Sequence, residues 1–148
     1  MNAVREIMEY SPVFFYGKAG SDKAAILQAI TRESDEINEK PCLYTTAEDF
    51  LKDLVFLVKN GQKELFELKY RNNSLLIIDD LQFLAGKFWT QEELLRTLKY
   101  LQVQDRQVIL FADRHPKSIL GLNEDLVDSC YGGLILEIKN TLNALNCK

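Results

Sequence analysis

A chain of 148 residues, 47% hydrophobic and 27% charged, has the length and apolar content for one packed domain, which excludes disorder along its whole length. Its formal net charge of −4 supplies no overall basic field, so any contact with nucleic acid is expected from a local patch. No apolar run approaches the ~20 residues that span a bilayer, and Met1 to Tyr10 lacks a signal-peptide pattern, so the reading is a cytoplasmic protein with no membrane partner.

Strand and helix signals alternate. Pro12 to Tyr16 is a short apolar run ended by Gly17, a buried strand. Ile26, Leu27 and Ile30 share one face of a helix predicted over 23–31. Pro41 to Tyr44 reads as a second strand, and Thr45-Thr46 before Ala47-Glu48 as a helix N-cap with an acidic first turn. Helical spacing continues from Glu48 to Lys59, Asn60-Gly61 stops it, and a further helix is predicted over 62–70. Leu75 to Ile78 has the continuous apolar character of a central strand. Thr90-Gln91-Glu92-Glu93 has the spacing of a capping box, opening a helix through Leu94, Leu95, Leu98 and Leu101. Gln107 to Phe111 and Gly133 to Ile138 complete five strands. The fold expected is α/β, a three-layer sandwich of P-loop type with a five-stranded, mostly parallel sheet in a single domain, 1–148.

Sites in such sheets lie at the carboxyl ends of the strands, which singles out three loops. The first, Gly17-Lys18-Ala19-Gly20-Ser21-Asp22-Lys23-Ala24, has the frame of a phosphate loop, GxxxxGK[ST], between a strand and a helix. Gly17, Gly20 and Lys23 are the candidate phosphate ligands. Asp22 replaces the second glycine and Ala24 the hydroxyl that would ligate Mg²⁺. A carboxylate about 4 Å from a phosphate oxygen costs roughly 4 kcal/mol at an effective dielectric near 20. Lys23 is free to pair with Asp22 or Asp79. The second loop begins at Asp79-Asp80, two acids at a strand end, the pattern of a motif that holds Mg²⁺ and orients water, or of a simple turn. In the third, Asp113 stands where a polar residue would face a γ-phosphate, and His115 beside Pro116 reads as a solvated loop histidine. Cys42, Cys130 and Cys147 show no metal-ligand spacing and read as reduced thiols.

From Pro12 to about Ile138 the chain resembles the AAA+ domain of the bacterial replication initiators of the DnaA family. The segments that carry the likeness are PVFFYG, YTTAEDF, KNGQKELFELKYR, LLIIDDLQFLAGK, TQEELLRTL and ADRHPK. The resemblance places KNGQKELFELKYR in the initiator-specific helical insertion. It implies an ATP site, with the GxxGxGKT pattern broken at Asp22 and Ala24. Family arginines that reach a neighbouring subunit's ATP correspond to Asp125 and Ser129 here. The family's helical lid and helix-turn-helix domain are expected to be lacking. It also implies single-stranded DNA contacts at Val55 and Lys87, with Trp89, next to Phe88, at a third position that is usually basic. Exposed aromatics there suit base stacking or a protein partner.

The function expected is therefore non-enzymatic: a DnaA-like protein acting in initiation or regulation of bacterial DNA replication through protein contacts, with a replication protein such as DnaA as partner. No cofactor is expected, unless the degenerate site still takes ATP and Mg²⁺. The alternatives are a single-stranded DNA-binding module and a weak ATP-binding regulator.

Overall fold

The computed structural model describes residues 3–18, 22–37, 41–139 and 141. Five strands, β1 (Val13–Tyr16), β2 (Cys42–Thr46), β3 (Leu75–Asp79), β4 (Gln107–Ala112) and β5 (Leu134–Glu137), form one sheet in the order β2-β3-β4-β1-β5. Every pairing is parallel, with Phe14 of β1 opposite Leu110 of β4 on one side and Ile135 of β5 on the other. β3 and β4 are buried along their whole length, as a parallel sheet covered on both faces requires.

Alternate residues of each strand enter two separate cores. Phe14, Leu76, Ile78, Val108 and Leu110 face α3 (Ala47–Lys59), α4 (Lys63–Arg71), α5 (Phe88–Val103) and α6 (Glu124–Gly132). Val13, Phe15, Leu75, Ile77, Ile109 and Phe111 face α1 (Ala3–Ile7) and α2 (Asp22–Ile37). The three layers of the sequence reading are present. Gly133 admits β5 to the sheet, because a Cβ there would lie 1.9 Å from the Pro12 carbonyl oxygen, the acceptor for Leu134 N–H.

α3 begins where its cap signal predicts, with the Thr46 hydroxyl accepting from Asp49 N–H, and Asn60-Gly61 ends it. α4 folds back on α3 through Phe50, Phe66 and Tyr70, fully buried rings whose centroids lie 4.8–5.2 Å apart. The Tyr70 hydroxyl donates to Asp53, which also takes the Lys69 ammonium at 2.7 Å.

Two helices differ from the sequence reading. α2 starts at Asp22 and runs on to Ile37 instead of stopping at Thr31. Its extension has no apolar stripe to read. It is held partly by Arg5 of α1, 2.7 Å from the buried carboxylate of Glu33. α5 starts at Phe88, so Thr90 to Glu93 are helix interior and form no capping box. Tertiary partners claim them instead. Glu93, 1% exposed, takes Lys63 at 3.1 Å and Arg71 at 3.2 Å from α4, and Arg96 at 3.6 Å.

The α3–α4 hairpin thus depends on a small aromatic core. Phe66→Ala is expected to lower unfolding stability by about 3–5 kcal/mol, read from urea denaturation. A loss under about 1 kcal/mol would show that the ring trio does not hold the hairpin.

Candidate nucleotide site and contact surface

The strand order reverses around β1, and the loops after β1, β3 and β4 meet at their carboxyl ends, where ligands bind in open α/β sheets. Among the described residues a cavity of about 150 Å³ opens there, lined in part by Gly17, Lys23, Asp79, Asp80, Gln82 and Asp113. Every candidate nucleotide residue of the sequence reading is gathered at this cavity except Gly20, which lies outside the described residues.

Asp79 is the centre of the cleft. It is buried, and the Lys23 ammonium stands 3.0 Å from both of its oxygens. Lys23 therefore pairs with Asp79. The Tyr44 hydroxyl donates to Asp79 Oδ2, and Asp80 N–H donates to Oδ1 at 2.8 Å. Burial, then the hydrogen bond to Asp79, push the Tyr44 phenol well above its ordinary pKa, so it remains a donor at any physiological pH. The sequence reading missed Tyr44, which sits a whole segment away on the edge strand β2.

Asp80 is exposed, with a left-handed φ of 58°. Asp113 is clasped by its neighbour Arg114 at 2.8 Å through both carboxylate oxygens. Gln82 Oε1 accepts from Asp113 N–H at 3.1 Å and joins the second loop to the third. His115 is not simply solvated. Its Nδ1 accepts from Lys117 N–H at 3.1 Å, and its ring lies edge-on to Tyr16 at 5.2 Å.

Asp22 stands in the first turn of α2, where its carboxylate meets the positive end of the helix dipole. A phosphate would use the same place. Ala24 brings a methyl group where a Mg²⁺ ligand would be needed. The residues present do not fit a Mg²⁺ ion: the hydroxyl is gone, and Asp79 is engaged by Lys23, Tyr44 and the Asp80 amide.

A second surface begins where α5 starts. Phe88 and Trp89 occupy its first turn, not a preceding loop, and are 52% and 49% exposed. The Lys87 ammonium lies 4.6 Å from the centroid of the Phe83 ring. Val55 is on the exposed side of α3, on a different element from the other three candidate contact residues. Asp125 and Ser129 are both on α6, near and beyond its N-cap Asn123.

A sequence model described as the bacterial DnaA ATPase domain matches residues 2–137. The chain belongs to this ATPase family. The DnaA initiator of Herpetosiphon aurantiacus is 42% identical over 132 residues, covering 88% of this chain but 28% of the relative. Domain III of the Thermotoga maritima DnaA has 34% identity and a TM-score of 0.83, over 90% of this chain and 57% of that one. A DnaA solved with AMPPCP and single-stranded DNA has 33% identity and a TM-score of 0.82, over 97% of this chain and 50% of that one. The chain thus spans under a third of the length of the Herpetosiphon relative.

This corrects the expectation of a non-enzyme. That expectation weighed Asp22 and Ala24, the arginine positions taken by Asp125 and Ser129, and the lid expected to be lacking, whereas the family model that matches residues 2–137 is that of an ATPase domain. No helix among the described residues is long and apolar enough to cross a membrane.

Cys42 and Cys130 are free thiols. Burial pushes the Cys130 thiol up to about 12. At pH 8 its reactive thiolate is therefore scarce, and iodoacetamide should leave Cys130 unmodified in the native protein but alkylate it in urea. Rapid native labelling of Cys130, seen by peptide mass spectrometry, would contradict this burial.

Proposed function

We propose that this chain acts in the initiation of bacterial DNA replication, as a DnaA-type domain that works through contacts at Lys87, Phe88 and Trp89. Its nucleotide cleft binds ATP weakly. The observation that carries the reading is the pair of neighbouring rings, each about half exposed, at the start of α5. Adjacent exposed aromatics mark contact surfaces, and tryptophan is a frequent anchor of protein interfaces. The partner proposed is another replication protein, a DnaA chain first of all. With a net charge of −4, the surface gains more from apolar burial than from a field that attracts phosphates.

A specific observation favours a second reading, single-stranded DNA. Lys87 is the N-cap of α5 and Trp89 lies in its exposed first turn, so one helix end offers a cation for a phosphate and a ring for a base. A similar initiator has been solved with single-stranded DNA. Trp89→Ala separates the two. For a protein contact it should abolish association with purified DnaA at any salt concentration and leave the circular dichroism unchanged. For DNA it should weaken oligo-dT binding by roughly 1–3 kcal/mol, and Lys87→Ala should flatten the salt slope. If Trp89→Ala alters neither association, this surface is not the working one.

The weak nucleotide affinity is supported by Asp22 at the start of α2 and by Lys23 being already paired. Asp22→Gly with Ala24→Thr should tighten ATP·Mg²⁺ binding by about a hundredfold or more in calorimetry. Micromolar binding by the unaltered protein would refute the weakness.

A further inference from the structure

A carboxylate offers roughly four acceptor positions on its two oxygens. On Asp79 all of them are used. Oδ1 accepts from the Lys23 ammonium at 3.0 Å and from Asp80 N–H at 2.8 Å. Oδ2 accepts from Lys23 at 3.0 Å and from the Tyr44 hydroxyl. The residue is 3% exposed, so solvent offers little room for an extra ligand. A hard cation, or a water bound to it, needs a free lone pair on an oxygen ligand.

The neighbours do not build a metal site in Asp79's place. Ala24 carries no oxygen on its side chain, and each oxygen of Asp113 already accepts from the Arg114 guanidinium at 2.8 Å. Asp80 faces solvent beside Gln82, whose amide is 3.4 Å from its carboxylate. Among the described residues no group of three or more His, Cys, Asp or Glu side chains could hold a metal ion.

We infer that Tyr44 and Lys23 together close Asp79 to divalent cations, so that a phosphate ligand of this cleft is bound without Mg²⁺, with the Lys23 ammonium as its cation. The identity of the ligand rests on the nucleotide reading given above. The exclusion of the metal does not. Tyr44 supplies the last bond to the carboxylate. It reaches Asp79 from β2, the strand beside β3, and so is independent of the phosphate loop. The acids around the cleft keep the affinity of any metal-free phosphate low.

Two titrations of the whole chain test this. In the first, ATP is added calorimetrically in excess Mg²⁺ and again in EDTA, and the two dissociation constants should agree within about threefold. In the second, Mn²⁺ alone is followed by electron paramagnetic resonance, and no site tighter than about 1 mM should appear at the cleft. Tyr44→Phe with Ala24→Thr frees one position on Asp79 and restores a hydroxyl, so this variant should bind ATP about tenfold tighter in Mg²⁺ than in EDTA.

Tenfold tightening of the unaltered chain by Mg²⁺, or a Mn²⁺ site that disappears in Asp79→Asn, overturns the inference. So does a Tyr44→Phe/Ala24→Thr variant that folds, binds ATP and stays indifferent to Mg²⁺. If neither the unaltered chain nor Asp22→Gly/Ala24→Thr binds ATP saturably, the nucleotide reading falls. The Mn²⁺ titration then decides the metal exclusion by itself.

Discussion

Parallel pairing of β3, β4 and β1 is the constraint from which the other features follow. A parallel sheet returns the chain to the same edge after every strand, so helices must cross over, and they cover both faces. The strands can then be apolar throughout, as Leu75 to Ile78 and Val108 to Phe111 are. The same geometry delivers the carboxyl ends of β1, β3 and β4 to one side. Gly17, Asp79 and Asp113 converge because the sheet is parallel, and the convergence needs no bound ligand to maintain it.

At that convergence electrostatics takes over from packing. A carboxylate buried as deeply as Asp79 is stable in its charged form only with a cation and hydrogen-bond donors around it. Lys23 and Tyr44 provide these, and Lys23 thereby has a structural duty separate from any phosphate. A lysine kept in a phosphate loop whose neighbours are Asp22 and Ala24 is physically reasonable for this reason alone. The ATPase ancestry of the domain and the poor fit of its cleft to Mg²⁺ are compatible. One is a property of the whole domain, the other of four side chains, Lys23, Ala24, Tyr44 and Asp79.

The contact surface is set by a different group of interactions. Glu93, buried in α5, is neutralised by Lys63 and Arg71 from α4 and by Arg96 one turn along. Gln91, on the same helix, donates to the Leu84 and Gly121 carbonyls at 2.7 and 2.8 Å and accepts from Asn123 N–H at 2.6 Å. Gly121 is required at that meeting point, with a φ of 90° and Gly86 N only 2.7 Å from where a Cβ would stand. Phe88 and Trp89 therefore project from a helix whose following residues are fastened to α4 and to the loop before α6. Rings mounted in this way lose little conformational freedom on binding.

The strands, their parallel arrangement, the α3 cap and the membership of residues 12–138 in a known family were legible from the amino acids alone, because apolar runs, turn residues and family motifs are local patterns. The gathering of Gly17, Lys23, Asp79, Asp80 and Asp113 was legible too, since a βα alternation dictates which loops meet. The start of α5 was not. Thr90 to Glu93 have the spacing of a cap, and only contacts with α4 and with the loop around Gly121 turn them into helix interior. The length of α2 was hidden for a similar reason, as Arg5 and Glu33 pair across 28 positions of chain. Tyr44 was invisible as a cleft residue, because its bond to Asp79 spans 35 positions and two strands. Local spacing determined the elements and their order. Which polar side chains face each other across that order, and hence what the cleft accepts, was decided by tertiary packing, where burial compels every charge to find a partner.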